Sequence, residues 1–258
     1  MDEIALARVR IVLVEPAGAL NVGSIARAMK NMGLRKLVLV NPYCDPLEED
    51  ARKMAVHARD ILEEAVIVET LAEAIAPCER AIATTARSRS LPTALEHPSE
   101  ALPWLLEAPA ALIFGPEDRG LSNEELNYAR RFVRIPSSDA YPSLNLAQAV
   151  AICCYELFQS SLNEPRDLSE RLISPPVSLG PSAPLELIEG YYRQLEAVLL
   201  KIGYLYPHTA KSRMEKFRRL FNRSGLSADE VAMLRGILSQ VEWAVSARDT
   251  LEPESFEF

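Results

Sequence analysis

Four short stretches of the 258-residue chain place amides, hydroxyls, carboxylates and arginines where an apolar run gives way to a loop or helix. They are "EPAGALNVGSIAR" (15–27), "TTARSRSLP" (84–92), "FGPEDRGLSNEEL" (114–126) and "IPSSDAYPSLNLAQA" (135–149). In the first, Gly18 and Gly23 stand at the G-x-x-x-x-G spacing of a phosphate loop, but Ser24 occupies the place of the lysine, so nucleoside-triphosphate hydrolysis loses its signature. No G-x-G-x-x-G occurs, which leaves a dinucleotide fold without its fingerprint. Asn21 reads as the N-cap of a helix over 22–32, with Ile25, Met29 and Met32 as the buried stripe and Arg27 on the polar side. In the third stretch Gly115 and Gly120 permit close backbone approach, Pro116 fixes φ, and Ser122 with Glu125 forms a capping box. The fourth runs a strand into a helix started by Ser143 or Asn145. Taken singly, each stretch also has a bland reading: a solvated arginine, a loop, a capped helix.

The elements that must position these turns are legible as a pattern. Short β-branched runs at 9–14, 36–40, 65–68, 80–85, 110–114 and 131–135 alternate with helical patterns over 22–32, 48–63, 71–76, 98–106, 122–130 and 144–160. That alternation is the mark of βα units around a mostly parallel sheet, and ligands of such sheets gather beyond the carboxyl ends of the strands. Residues 163–184 concentrate five prolines with serines and charges and read as a linker. Beyond them 185–202, 211–222 and 227–247 are helical, the last opened by a second capping box, Ser227 with Glu230. The division is thus 1–162, an α/β domain, 163–184, a linker, and 185–258, a small all-helical module.

Cys44, Cys78, Cys153 and Cys154 show no CxxC spacing and lie far in sequence from His57, His97 and His208, so a metal site is not expected and the thiols read as reduced structural residues. The acidic start before the first apolar run and the lack of a bilayer-length apolar segment point to a cytoplasmic protein. A net charge of −8 disfavours nucleic acid only if charge is evenly spread. Between 201 and 223, Lys201, Lys211, Arg213, Lys216, Arg218, Arg219 and Arg223 face one acid, Glu215.

Together the turns resemble the SpoU/TrmH-type branch of the SPOUT RNA methyltransferases. The likeness rests on N-x-G-x-x-x-R (Asn21, Gly23, Arg27), F-G-x-E-x-x-G-L (Phe114, Gly115, Glu117, Gly120, Leu121) and S-L-N-x-A (Ser143, Leu144, Asn145, Ala147), in order across 9–160. Within that branch "NVGSIARAMKNMGL", "TTARSRSLP" and the helical tail with "KFRRLF" look most like the TrmJ-like tRNA 2′-O-ribose methyltransferases. One departure is Pro142, where a small hydroxyl residue is expected before Ser143. The resemblance implies a C-terminal trefoil knot in the α/β domain, S-adenosylmethionine as cofactor, tRNA as partner with nucleotide thirty-two of the anticodon loop as target, and a homodimer through the knot region. Carried over by position, Thr84, Thr85, Ala86, Gly115, Ile135, Pro142, Ser143 and Leu144 would bind the cofactor, and Arg27, Asn21, Glu117, Ser143 and Asn145 would serve catalysis.

In this reading Arg27 of one subunit meets the RNA phosphate beside the partner's cofactor, and Gly23 opens the helix start to close approach of the RNA backbone. A guanidinium stays protonated in nearly all settings, which favours a phosphate-orienting role over a basic one. The remaining RNA contacts are expected from Arg87, Arg89, Lys211, Arg213, Lys216, Arg218, Arg219 and Arg223. The alternatives are a ribosomal RNA substrate, methylation of a base instead of a ribose, and a non-catalytic RNA-binding protein of the same fold.

Overall fold

A computed structural model describes residues 3–85, 95–138, 140–162 and 182–249. It forms two compact units, 1–174 and 175–258, each with its own core. In the first unit the chain runs α1 (Glu3–Leu6), β1 (Val9–Val14), α2 (Ala19–Asn31), β2 (Lys36–Val40), α3 (Glu49–Ala55), α4 (Arg59–Glu63), β3 (Val66–Val68), α5 (Leu71–Ile75) and β4 (Arg80–Thr84). There follow α6 (Pro98–Ala101), a 3-10 turn (Leu102–Glu107), β5 (Ala110–Phe114), α7 (Asn123–Leu126), β6 (Arg131–Val133) and α8 (Leu146–Leu162).

The six strands among the described residues are all parallel, in the order β3-β2-β1-β5-β4-β6. β1 and β5 lie in the middle, paired Val9 with Ala110 through Leu13 with Phe114, and their uninterrupted apolar runs match strands covered on both faces. One face, with Ile11, Leu13, Leu37, Leu39, Leu112 and Phe114, packs against Val22, Ile25 and Met29 of α2 and Val150, Cys153, Cys154 and Leu157 of α8. On the opposite face Arg10 donates to the Ala74 carbonyl of α5 at 2.8 Å, and Ala83 and Phe132 cluster with Leu126 and Ala129. Burial pushes the thiol pKa of Cys78 up to about 11 and that of Cys154 up to about 12, which keeps both protonated at neutral pH.

Several expected boundaries move. The helix expected over 22–32 begins at Ala19 with Gly18 as N-cap and no side-chain cap, so Asn21 sits in its first turn. Gly23 is not a turn residue: it lies inside α2, where a Cβ would fall 2.2 Å from the Ala51 carbonyl oxygen of α3. Its missing side chain serves helix packing, and RNA has no access there. The pattern over 48–63 is broken into α3 and α4 at Val56, whose φ of 54° no continuous helix accommodates. The expected helix over 122–130 is a single turn, and that over 98–106 ends in a 3-10 turn with Pro103 near its start.

The second unit holds α9 (Leu185–Lys201), α10 (Pro207–Ser224) and α11 (Ala228–Asp249). Tyr191, buried on α9, meets Phe221 of α10 edge-on at 5.3 Å, and the Tyr192 hydroxyl donates to Asn222 Oδ1 at 2.8 Å. Pro207 opens α10, Gly225 in the left-handed region (φ 64°) closes it, and the Ser227–Glu230 capping box starts α11 as expected. Of the residues expected in the linker, 163–181 lie outside the described set. No described helix is long and apolar enough to cross a membrane.

Candidate active site

A cavity of about 480 Å³ opens beyond the carboxyl ends of β4 and β5. Its walls come from three of the four stretches singled out in the sequence: Thr84 and Thr85, Phe114 to Asn123, and Ile135 with Pro142, Ser143 and Leu144. Every residue expected at the cofactor lines it except Ala86, which lies with Arg87 and Arg89 outside the described residues. Gly115 is required: a Cβ there would lie 2.3 Å from Leu121 N and 2.4 Å from Gly120 C, so the strand end and the loop touch backbone to backbone. Gly120, at φ 67°, turns the loop and donates its N–H to the Pro116 carbonyl at 2.9 Å. The loop then enters α7 through the expected capping box, Glu125 N–H to Ser122 Oγ at 3.2 Å and Ser122 N–H to Glu125 Oε2 at 2.6 Å.

The expected polar residues assemble beside the cavity in one directed chain. Asn145 caps α8, its Oδ1 accepting from the Ala147 and Gln148 amides at 2.9 and 3.3 Å, which settles the choice between it and Ser143. Because those amides only donate, Asn145 must turn its Nδ2 outward, and it donates to Asn21 Oδ1 at 3.0 Å. Asn21 Nδ2 is thereby left to donate to Glu117 Oε1 at 2.9 Å, while Glu117 Oε2 accepts the Ala17 N–H at 3.2 Å. The helix terminus fixes the amide orientations step by step, and the chain ends on a carboxylate that also lines the cavity. Residues 124 positions apart are joined here, which explains why Asn21 does not cap its own helix.

Arg27 does not join this group. It is exposed on α2, it does not line the cavity of its own chain, and it has no hydrogen-bond or ion-pair partner among the described residues. Ser143 lines the cavity but stands outside the Asn–Asn–Glu chain.

One rim residue escaped the sequence reading. Arg119, in a variable position of the F-G-x-E-x-x-G-L turn, donates to both Glu125 oxygens at 2.9 Å, to Glu15 Oε2 at 2.7 Å and to the Gly120 carbonyl at 3.0 Å. The hydrogen bonds it donates to Glu125 and Glu15 raise its already high pKa. Burial alone would lift the Glu125 carboxyl, but bonds from Arg119 and Ser122 outweigh it and hold the pKa below the usual carboxylate range.

On α10, Lys211, Arg213, Lys216, Arg219 and Arg223 are exposed or partly exposed. Arg213 donates to the Tyr204 carbonyl at 3.2 Å, and Arg219 lies 3.6 Å from Glu215. Arg218 departs from the expected RNA-facing set: it makes a bidentate pair with Glu189 of α9 at 2.5 and 2.8 Å and lies 4.5 Å over the Tyr192 ring, both carboxylate and guanidinium being mostly buried. Its charge is neutralised inside the unit.

Residues 8–155 match the model of the SpoU rRNA Methylase family, and residues 186–251 match the C-terminal domain of the tRNA methyltransferase TrmJ. Over 241 residues the chain is 40% identical to the tRNA (cytidine/uridine-2′-O-)-methyltransferase TrmJ of Pectobacterium atrosepticum, covering 92% of this chain and 98% of that one. It is also 40% identical to the tRNA (cytidine/uridine/adenosine-2′-O-)-methyltransferase TrmJ of Pseudomonas aeruginosa, over 92% of this chain and 95% of that one. The crystal structure of TrmJ from Z. mobilis ZM4 superposes with a TM-score of 0.79 at 33% identity, covering 90% of this chain and 98% of the other. With its sheet order, its glycine-dependent loop and its paired domains accounted for, the chain belongs to the SpoU methylase family.

Proposed function

We propose that the chain is an S-adenosylmethionine-dependent tRNA 2′-O-ribose methyltransferase whose target is nucleotide thirty-two of the anticodon loop. The observation that carries this reading is the cavity with the Glu117–Asn21–Asn145 chain at its edge, in a protein matching TrmJ relatives across nearly its whole length. The residues fit the donor. About 480 Å³ is within the range of cofactor sites, Gly115 lets the loop 116–121 fold close against the strand end, and the lining mixes hydroxyls and backbone groups with Phe114, Leu121 and Leu144. Thr84, Thr85, Gly115, Ile135, Pro142, Ser143 and Leu144 would hold it. When bound, the donor supplies a methyl group already activated by a positively charged sulfur.

The chain's own task is then alignment and relief of the hydroxyl proton. Fixing two reactants in attack geometry is worth about 7–11 kcal/mol, against roughly 10²–10⁴-fold from a positioned base, so alignment is the larger share. Glu117 and Asn21 offer the ribose a carboxylate and an amide held in one orientation. The partner subunit's Arg27 supplies the phosphate contact in a homodimer. Supporting this, Arg27 shares one stripe of α2 with exposed Leu20, and the helix packed beside it, α8, exposes Ile152 and Tyr155. The same reading includes the trefoil knot in the C-terminal part of the first unit, tRNA affinity from the cations of α10, and a cytoplasmic location with the substrate.

Mapping of 2′-O-methyl sites in RNA from cells with and without the protein tests substrate and position together: loss of a ribose mark at tRNA nucleotide thirty-two is expected, and loss confined to ribosomal RNA, or of a base methyl, overturns it. Arg27→Ala, measured in single turnover at saturating donor, is expected to slow methyl transfer by about 10²–10³-fold, the scale for removing one transition-state donor. A near-normal rate removes Arg27 from the chemistry.

A further inference from the structure

The loop 115–122 is tied to the segment that follows β1 at two points. Glu117 takes the Ala17 N–H and Asn21, and two residues on, Arg119 takes Glu15. Glu15 sits in the left-handed region at φ 47°, a conformation unfavourable for a residue with a Cβ. Its N–H still continues the sheet by donating to the Val40 carbonyl at 2.8 Å, so the residue is held from the backbone side by β2 and from the side-chain side by Arg119. Arg119 in turn grips Glu125, the residue that closes the capping box of α7, and the carbonyl of Gly120, whose backbone abuts Gly115. One guanidinium therefore joins the end of β1, the apex of the cavity loop and the first turn of the helix after it. Only a planar fork with several donors makes all four bonds at once; an ammonium does not.

We propose that Arg119 is a positioning residue: it holds the 115–122 loop in the shape that receives the methyl donor and, through the same loop, keeps the Glu117 carboxylate on Asn21. Donor binding and acceptor alignment then depend on a single side chain that neither transfers a proton nor contacts the methyl group. Removing it leaves Glu15 and Glu125, two carboxylates that had shared one cation, facing each other across a loop with no other ion-pair partner among the described residues, and the loop gives way before the sheet does. The functional half of this inference rests on the donor reading given above; the structural half does not.

The test uses the full chain and three variants, Arg119→Gln, Arg119→Lys and Glu15→Gln. Hydrogen exchange on the donor-free protein is expected to show faster exchange at residues 116–121 in Arg119→Gln than in wild type, with the protection of β1 and β5 retained. Titration calorimetry with S-adenosylmethionine is expected to show donor affinity falling about tenfold in that variant. Arg119→Lys, which keeps the charge and loses the fork, should recover only part of it. Glu15→Gln leaves the Glu125 fork intact and is expected to lower kcat more than it raises the KM for donor, which separates positioning from a general loss of fold. Unchanged loop exchange with unchanged donor affinity in Arg119→Gln overturns the proposal, as does full recovery by lysine. Wild-type protein that binds no donor while its loop exchange responds to Arg119→Gln overturns the donor reading and leaves the clamp standing.

Discussion

The rim of the cavity and helix α10 are both built around arginine, and they use it in opposite ways. At the rim Arg119 spends its donors on two carboxylates and a carbonyl of its own chain, so its charge is absorbed into the shape of a loop. On α10 the charge is sorted by face. Arg218 turns inward onto Glu189 and Tyr192, while Lys216 and Arg223 are exposed with no partner among the described residues. Whether a carboxylate lies within reach decides if a cation builds the protein or waits for a ligand, and sequence neighbourhood does not decide it: Arg218 reaches Glu189, while Lys216, two positions before it, has no partner among the described residues.

That contrast can be broken at several points. The largest effect is expected at the rim from Gly115→Ala, because the new Cβ would fall 2.3 Å from backbone nitrogen and the loop cannot yield without losing its shape. Donor binding by calorimetry should disappear while the second unit melts normally; ordinary affinity would mean the loop is not the donor's cradle. Next comes Arg218→Ala, which strands a mostly buried Glu189 and should cost about 2–3 kcal/mol in the denaturant stability of the second unit. If it instead leaves stability intact and weakens tRNA binding, the inward assignment is wrong.

Lys216→Ala and Arg223→Ala should do the reverse. Each is expected to change stability by less than about 0.5 kcal/mol, yet to flatten the plot of log affinity for tRNA against log salt by about 0.7–0.9. An unchanged slope would assign that face another partner. The smallest effect concerns pH. The folded-state pKa of Glu125 is depressed, so its contribution is present above the unfolded carboxylate value and is lost as pH falls through the folded value. Wild type should therefore lose stability on acidification more steeply than Arg119→Gln, and parallel pH profiles would show that the pair contributes nothing measurable.

The same contrast explains what the sequence reveals and what it withholds. Local devices are legible: both capping boxes, Ser122 with Glu125 and Ser227 with Glu230, form as their three-residue spacing demands. A parallel sheet and the gathering of three turns around one cavity follow from βα alternation, whereas the order of its strands does not. What fails is every inference in which a distant residue outbids a local preference. Asn21 looks like an N-cap until Glu117 and Asn145, 96 and 124 residues further along the chain, bond to its amide. Gly23 looks like a turn until α3 is laid against it, and Arg218 looks like its neighbours until Glu189 arrives on another helix. Arg119 gave no signal, because its partners Glu15 and Glu125 come together only once β1 and β5 are side by side.

The pairing of Val9 with Ala110 has a bearing on synthesis as well. As the polypeptide leaves the ribosome, β1 and β2 can zip together early, but the other border of β1 stays bare until β5 emerges, an open hydrogen-bonding margin of valine, isoleucine and leucine throughout that interval. Closure of such sequence-distant contacts is slow, so the nascent protein passes through a stage in which half a sheet is ready to stick to whatever is near. Chaperone demand should be greatest there, and it should end when the second central strand docks.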